Sequence, residues 1–347
     1  MKILISSDGM HAHYYQRASW LKAFTQCGIQ TYLWDCKKIA AFDVFDTFEP
    51  DVFLGQSYNL TRDLIKCIYE RPHLKVGLRA GDWGDFDPDP RFNVLHASQQ
   101  EIELLSKLKE ETGKPDFVHI HYDQDAMDQT HSKYSSIGID AKSLIMCADV
   151  HEYCDGVYDN SLACDIGFVG GYWPYKGIVI DKYLTPLCDP VGNYNIKIFG
   201  NQSWHVNQYC GIIGDKGVKD LFASAKICPN LSEPHAHQYG FDINERCFKI
   251  LCAGGFCISD NVESIRKIFE NNGVVFADSP QDFKNKIDYY LDNPNERQEI
   301  ANTGKKFVLE NHSNFHRCAQ ILSYFNCEPE SAMILETWKN IRSQANA

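Results

Sequence analysis

Residues 241–278, FDINERCFKILCAGGFCISDNVESIRKIFENNGVVFAD, decide the fold. Asp242, Asn244 and Arg246 place polar groups at a helix start, and the apolar run Phe248, Ile250, Leu251 and Ala253 seats that helix in a core. Gly254 and Gly255 stop it, FCIS reads as a buried strand, and Asp260 and Asn261 offer a cap to a second helix beginning near Val262. Strand, capped helix, strand is the order of a parallel sheet. Ligands of such a sheet sit beyond the carboxyl ends of its strands, where helix N-termini present free N–H groups and positive dipole to anions.

Upstream, IGFVGGYWPYKG (166–177) gives a strand, the Gly170–Gly171 turn, and Lys176 at a helix start. Glycines permit close backbone approach and a lysine neutralises charge, so this is a phosphate-binding arrangement as well as an ordinary strand-turn-helix. NIKIFG is the next strand, and GVKDLFASAKICPN a short helix followed by another. Between that strand and Asn244 lies SEPHAHQYGFD, read as an irregular polar loop, with His235 and His237 as candidate sugar contacts.

The first half opens with the strand MKILISS, a turn at Asp8, a helix from about His13 to Gln26, and the strand IQTYLWD. This β-α-β start lacks G-x-G-x-x-G, which speaks against a dinucleotide-dependent dehydrogenase. DVFLGQS, KVGLRAGDW, NVLHAS and FVHIHYD read as further strands, with the charged helix QEIELLSKLKEETG between the last two. Segment 137–165 has no sustained helical pattern and reads as an interdomain connection. The expected domains are therefore 1–145, 146–325, and a closing helix in 326–347 that crosses back to the first. A chain of 347 residues exceeds what one core ordinarily holds, and 44% hydrophobic residues suffice for two.

A net charge of −12 with no Lys/Arg-rich run argues against a nucleic-acid acceptor. The 14 cysteines are scattered, without a Cys-x-x-Cys pair, and no signal peptide precedes them, which points to a reducing cytoplasm. Cys247, Cys252 and Cys257 cross the Gly254–Gly255 break and read as small buried hydrophobes rather than metal ligands. No apolar run reaches the ~20 residues that span a bilayer.

The block N-x-R-x-F-x-x-L-x-x-G-G, a strand ending in Ser-Asp, and the segment VVFAD together resemble the nucleotide-sugar half of GT-B glycosyltransferases, closest to the spore-maturation-protein-like (CgeB type) group. The resemblance spans about Asp165–Leu322 well and the first half in outline. It implies an α/β GT-B fold of two Rossmann-like parallel-sheet domains facing a cleft, with a nucleotide-sugar donor on the second and the acceptor on the first. It implies a soluble, metal-independent hexosyl- or pentosyltransferase without a cofactor, its UDP- or dTDP-sugar being a substrate. The acceptor is a hydroxyl of a glycan, protein or small molecule. Nucleotide-sugar 2-epimerases share the architecture, but their signatures are missing here; a non-catalytic sugar-binding or assembly protein is the third class.

In the family the V-G-x-x-x-x-K-G loop lies against the donor pyrophosphate, so the resemblance assigns Gly170, Gly171, Lys176, Asn244 and Arg246 to the donor. A leaving diphosphate gains negative charge, which a metal-free enzyme meets with Lys, Arg and helix N-termini. Arg246 suits this because a guanidinium binds two oxygens at once; Asn244 serves first as the helix cap. Position 249 departs from the family, which usually has Glu there for the ribose hydroxyls. Lys249 only donates, so it turns to a phosphate or an acid, or the ribose is held by Asp242 or Glu245.

An inverting transferase also needs a base from the first domain. Asp82, in RAGDWGDF, follows a strand among glycines, as does the base of phage DNA glucosyltransferases, which this chain resembles in layout and length. Asp8, His11 and His13 compete for the role. A retaining enzyme needs no such base, and the residues do not choose between the two courses.

Overall fold

The structure, a computed structural model, describes residues 1–8, 12–81, 84 and 98–345, with the backbone alone at 12, 13 and 345. Its chain divides into two units, Met1–Ile145 with Asn314–Ala347, and Met146–Ser313.

Unit 1 runs β1 (Lys2–Ser7), α1 (Ala12–Gln26), β2 (Gln30–Asp35), α2 (Ala41–Phe48), β3 (Val52–Gln56), α3 (Arg62–Tyr69), β4 (Lys75–Arg79), α4 (Gln99–Thr112), β5 (Phe117–Ile120), α5 (Gln124–Thr130), α6 (Ser132–Ser136) and β6 (Asp140–Ser143). The strands form one parallel sheet in the order β2-β1-β3-β4-β5-β6. Runs such as Ile3–Leu4–Ile5 and Val52–Phe53–Leu54 are fully buried, as expected of strands covered on both faces. The strand expected over NVLHAS falls almost wholly outside the described residues. β6 lies inside the segment read as a connection; its short DAKS sequence carries no apolar run to announce it.

Unit 2 runs α7 (Val150–Tyr153), β7 (Cys164–Val169), α8 (Pro174–Tyr183), β8 (Ile196–Phe199), α9 (Asp215–Ser224), β9 (Ala225–Asn230), α10 (Pro234–Tyr239), α11 (Arg246–Ala253), β10 (Cys257–Asp260), α12 (Glu263–Phe269), β11 (Val274–Ala277), α13 (Pro280–Asp292) and α14 (Pro294–Asn311). Its parallel sheet has the order β11-β10-β9-β7-β8. Ile166, Phe168, Ile198, Ile227 and Ile258 from four strands share one core. Gly254, at φ 87°, ends α11 as its sequence predicts.

Two helices close the chain, α15 (Asn314–Tyr324) and α16 (Glu328–Ala345). α15 was expected in the second domain, whose end was placed at 325, but it belongs to unit 1. Asn314 Nδ2 donates to Ser19 O at 2.9 Å and Arg317 Nε to Ile145 O at 2.9 Å, and Phe325 packs on Phe117 with ring centroids 4.8 Å apart. Asn314 and Arg317 thus tie the start of α15 to unit 1.

Candidate functional site

In unit 2 the sheet reverses its strand order between β7 and β9, the place where an open parallel sheet leaves a crevice at its carboxyl edge. After β7 the chain turns through Gly170 and Gly171. The Gly170 N–H donates to Phe199 O at 2.8 Å, and its carbonyl accepts from Trp204 Nε1 at 2.8 Å, so the loop is pinned to the end of β8. A Cβ at Gly170 would stand 2.9 Å from the Phe168 ring and 3.3 Å from both Arg246 Nη2 and Lys176 Nζ. A Cβ at Gly171 would meet Asn201 Oδ1 at 2.7 Å. A side chain at either place would crowd its neighbours, and at Gly170 those neighbours are the Phe168 ring and two cations.

Arg246 reaches this point from the first turn of α11. Its Nε donates to Val169 O at 3.1 Å, and Nη1 to Asn230 Oδ1 and Leu231 O, each at 3.2 Å. The guanidinium lies 4.8 Å from the centroid of the Phe168 ring, a cation–π distance. These contacts tie it to the ends of β7 and β9 and leave Nη2 toward Gly170. Asn244 Oδ1 accepts from the Arg246 N–H at 3.1 Å, an Asx-type turn leading into the helix; the cap position itself is Glu245, whose side chain makes no capping bond. α11 itself starts at Arg246, four residues later than the polar run at Asp242 suggested.

Lys176 projects from the first turn of α8, behind Pro174. Burial pulls its ammonium down to about 7, with Arg246 adding to the shift while Glu233 and Glu245 oppose it. Burial also lowers Arg246 and raises Glu233. A guanidinium starts high enough to stay charged, whereas Lys176 near neutrality gains its proton most readily when an anion arrives.

The segment read as an irregular loop contains α10. The Tyr175 hydroxyl accepts from the His235 N–H at 3.0 Å and sits 3.1 Å from His235 Nδ1, so α8 and α10 are joined. His235 is 5% exposed and its Nε2 lies 3.5 Å from Asp242 Oδ2, which makes it an interior link rather than a solvated loop residue. His237 Nε2 is 2.8 Å from Asp260 Oδ2. The expected cap of α12 by Asp260 or Asn261 is not made; Asp260 is fully buried at the end of β10, where its two oxygens accept from the Ser232 N–H at 2.7 Å and Ser232 Oγ at 3.0 Å. Val262 occupies the cap position without a side-chain bond.

Lys249 lies one turn along α11. Its ammonium donates to Glu245 Oε1 at 2.7 Å and stands 4.7 Å from the Tyr153 ring centroid. Of the alternatives open at this position, it takes the neighbouring acid. Cys247 and Cys257 are buried with their sulfurs 3.9 Å apart, and all 14 cysteines are free thiols. Among the described residues no three His, Cys, Asp or Glu side chains converge to hold a metal, and no helix is long and apolar enough to cross a membrane.

In unit 1, Asp8 follows β1, half-buried; its Oδ1 accepts from Gln56 Nε2 at 3.2 Å and lies 3.8 Å from Arg17 Nη1. His13 falls within α1 with only its backbone described, and Asp82 and His11 lie outside the described residues.

Sequence reasoning missed Glu233, Tyr175 and Asn230 in unit 2 and Arg17 and Arg79 in unit 1. A signal was present for Arg17, a cation on the same helical stripe as Trp20 and Phe24.

Residues 183–323 match a family model described as glycosyl transferase-like. No curated protein matches the chain. Among solved structures, T4 phage BGT in complex with UDP and Mn2+ is similar with TM-score 0.57 at 12% identity, covering 98% of this chain and 99% of that one. Anabaena HepE in complex with UDP gives TM-score 0.59 at 12% identity, covering 94% of this chain and all of that one. Sucrose-phosphate synthase of Thermosynechococcus elongatus gives TM-score 0.63 at 10% identity, covering 94% and 98%. Two Rossmann-like parallel sheets, joined in this order and matched over nearly the whole length of these enzymes, make the fold GT-B.

Proposed function

We propose that the chain is a glycosyltransferase that moves a hexose or pentose from a UDP- or dTDP-sugar to a hydroxyl acceptor, without a metal, and that it stands closest to the CgeB-type group. The observation that carries this reading is the convergence of Arg246 Nη2 and Lys176 Nζ over Gly170, at the carboxyl edge where the sheet order reverses. Two cations facing a glycine turn accommodate a diphosphate: the glycine lets its oxygens approach the backbone, and the cations meet the charge that grows as the anomeric bond breaks. Lys176 takes up a proton as the diphosphate binds, so its charge appears where it is needed. With Lys249 held by Glu245, no carboxylate stands at position 249 for the ribose hydroxyls. That supports a donor site tolerant of deoxyribose and a ribose contact from Asp242 or Glu245. Asp82, with Asp8 and His13 behind it, is the proposed base for the acceptor hydroxyl. A net charge of −12 favours a glycan, protein or small-molecule acceptor over nucleic acid.

Incubation of the chain with a panel of UDP- and dTDP-sugars, followed by mass spectrometry, tests the reaction class. Nucleoside diphosphate released with sugar transferred to an acceptor or to water is expected. Conversion of the sugar into its epimer with the donor otherwise consumed, or an untouched panel, contradicts it.

A further inference from the structure

Unit 1 carries a second basic cluster at its own strand ends. Its sheet reverses order between β1 and β3, and Ser7 and Gln56, the last residues of those strands, are buried. Gln56 bridges the reversal point to Asp8. Two buried arginines border this point, Arg17 from α1 at 2% exposure, beside Asp8, and Arg79 at the end of β4 at 8%, in register with Gln56. The charge of Arg17 lowers the proton affinity of Arg79, and Tyr58 is the polar neighbour both share. Asp8, the carboxylate beside Arg17, stands 3.8 Å from Nη1, beyond hydrogen-bond reach. Nη1 and Nη2 of Arg17 are buried, and among the described residues neither finds an acceptor at good hydrogen-bond geometry, although Tyr58 and Asp8 both favour its charged form.

Buried guanidinium nitrogens left unpaired forfeit their hydration for nothing, so native structures rarely keep them. His119 adds no counter-charge: burial, then Arg79 and Arg17, push its imidazole well below its ordinary range and keep it neutral. Among the described residues the cluster therefore holds more positive charge than its carboxylate answers. A guanidinium fork matches the paired oxygens of a phosphate or carboxylate, and these nitrogens stand beside Asp8, one of the candidate bases. The chain's acidic balance repels extended polyanions, which leaves a small ligand bearing one such group.

We propose that Arg17 and Arg79 clamp an anionic oxyacid group, a phosphate or a carboxylate, on the small acceptor that receives the sugar; its identification as acceptor rests on the glycosyl-transfer reading above. Calorimetric titration of the whole chain with glucose 6-phosphate, glucuronate and glucose presents that group in both forms and then removes it, with UDP titrated in parallel. At least one charged probe should bind about tenfold or more tightly than glucose, the factor one charge-assisted hydrogen bond supplies. That advantage should vanish in Arg17→Gln and in Arg79→Gln, while UDP titrates as in wild type. A lead for glucose 6-phosphate marks the group as phosphate, and a lead for glucuronate as carboxylate. Failure of both charged probes to outbind glucose, or a preference that survives both substitutions, overturns the proposal even if UDP binds normally. Loss of UDP binding with the anion preference intact upholds the anion site and counts against the donor reading instead. Should Arg17→Gln fail to fold by circular dichroism, Arg17→Lys retains a charge without the fork; its preference should still fall severalfold, and an unchanged preference overturns the proposal.

Discussion

Arg246→Ala is expected to lower turnover by about 10²-fold or more, the scale of losing one pre-organised donor to a developing oxyanion. The arginine has a structural share as well, because truncation also orphans Asn230 Oδ1 and the carbonyls of Val169 and Leu231. Each buried acceptor left unpaired costs about 1–3 kcal/mol, so a lower melting temperature accompanies the loss. Arg246→Lys separates the two effects: it restores a charge over Gly170 but not the fork that grips both strand ends. Its turnover should fall between those of wild type and Arg246→Ala. Steady-state kinetics on proteins shown to be folded by circular dichroism provides the check. Near-normal turnover in a folded Arg246→Ala chain would remove Arg246 from the donor site.

Asp82→Asn is expected to reduce transfer by about 10²- to 10⁴-fold, the range for a general base, while UDP binding measured by calorimetry stays near wild type. The amide keeps the shape and loses the basicity. Asp8 provides the informative control, since it already accepts from Gln56 and lies 3.8 Å from Arg17. Retention of transfer in Asp82→Asn, with its loss in Asp8→Asn or His13→Ala, would move the base to the loop after β1.

The parallel β-α alternation and the turn at Gly170–Gly171 were legible because local signals carried them. Glycine stops, apolar runs and the Asn244–Arg246 spacing each act over a few residues, and the Gly170–Gly171 turn announced where a backbone must be approached closely. What escaped depended on distant partners. α10 is too short for a hydrophobic period to show, and it is held by Tyr175 from α8. Asp260 reads as a cap until Ser232 and His237 claim its oxygens. α15 follows unit 2 in sequence, yet Ser19 and Ile145 draw it to unit 1. Arg79 ends an apolar strand like any solvated terminal cation, and its burial beside Arg17 exists only once β1, β3, β4 and α1 are assembled.

The central claim is that Lys176 and Arg246 hold the donor diphosphate over Gly170, and proton linkage tests it most directly. Free Lys176 titrates at about 7, and a bound diphosphate favours its charged form. Above pH 7, therefore, binding must draw a proton from solution, and affinity must fall as pH rises, by at most about tenfold per unit. UDP titrated calorimetrically at pH 8 in two buffers of different ionisation enthalpy should show uptake approaching one proton, absent in Lys176→Met. UDP that fails to bind the folded chain, or binds with heats independent of the buffer, would contradict the account.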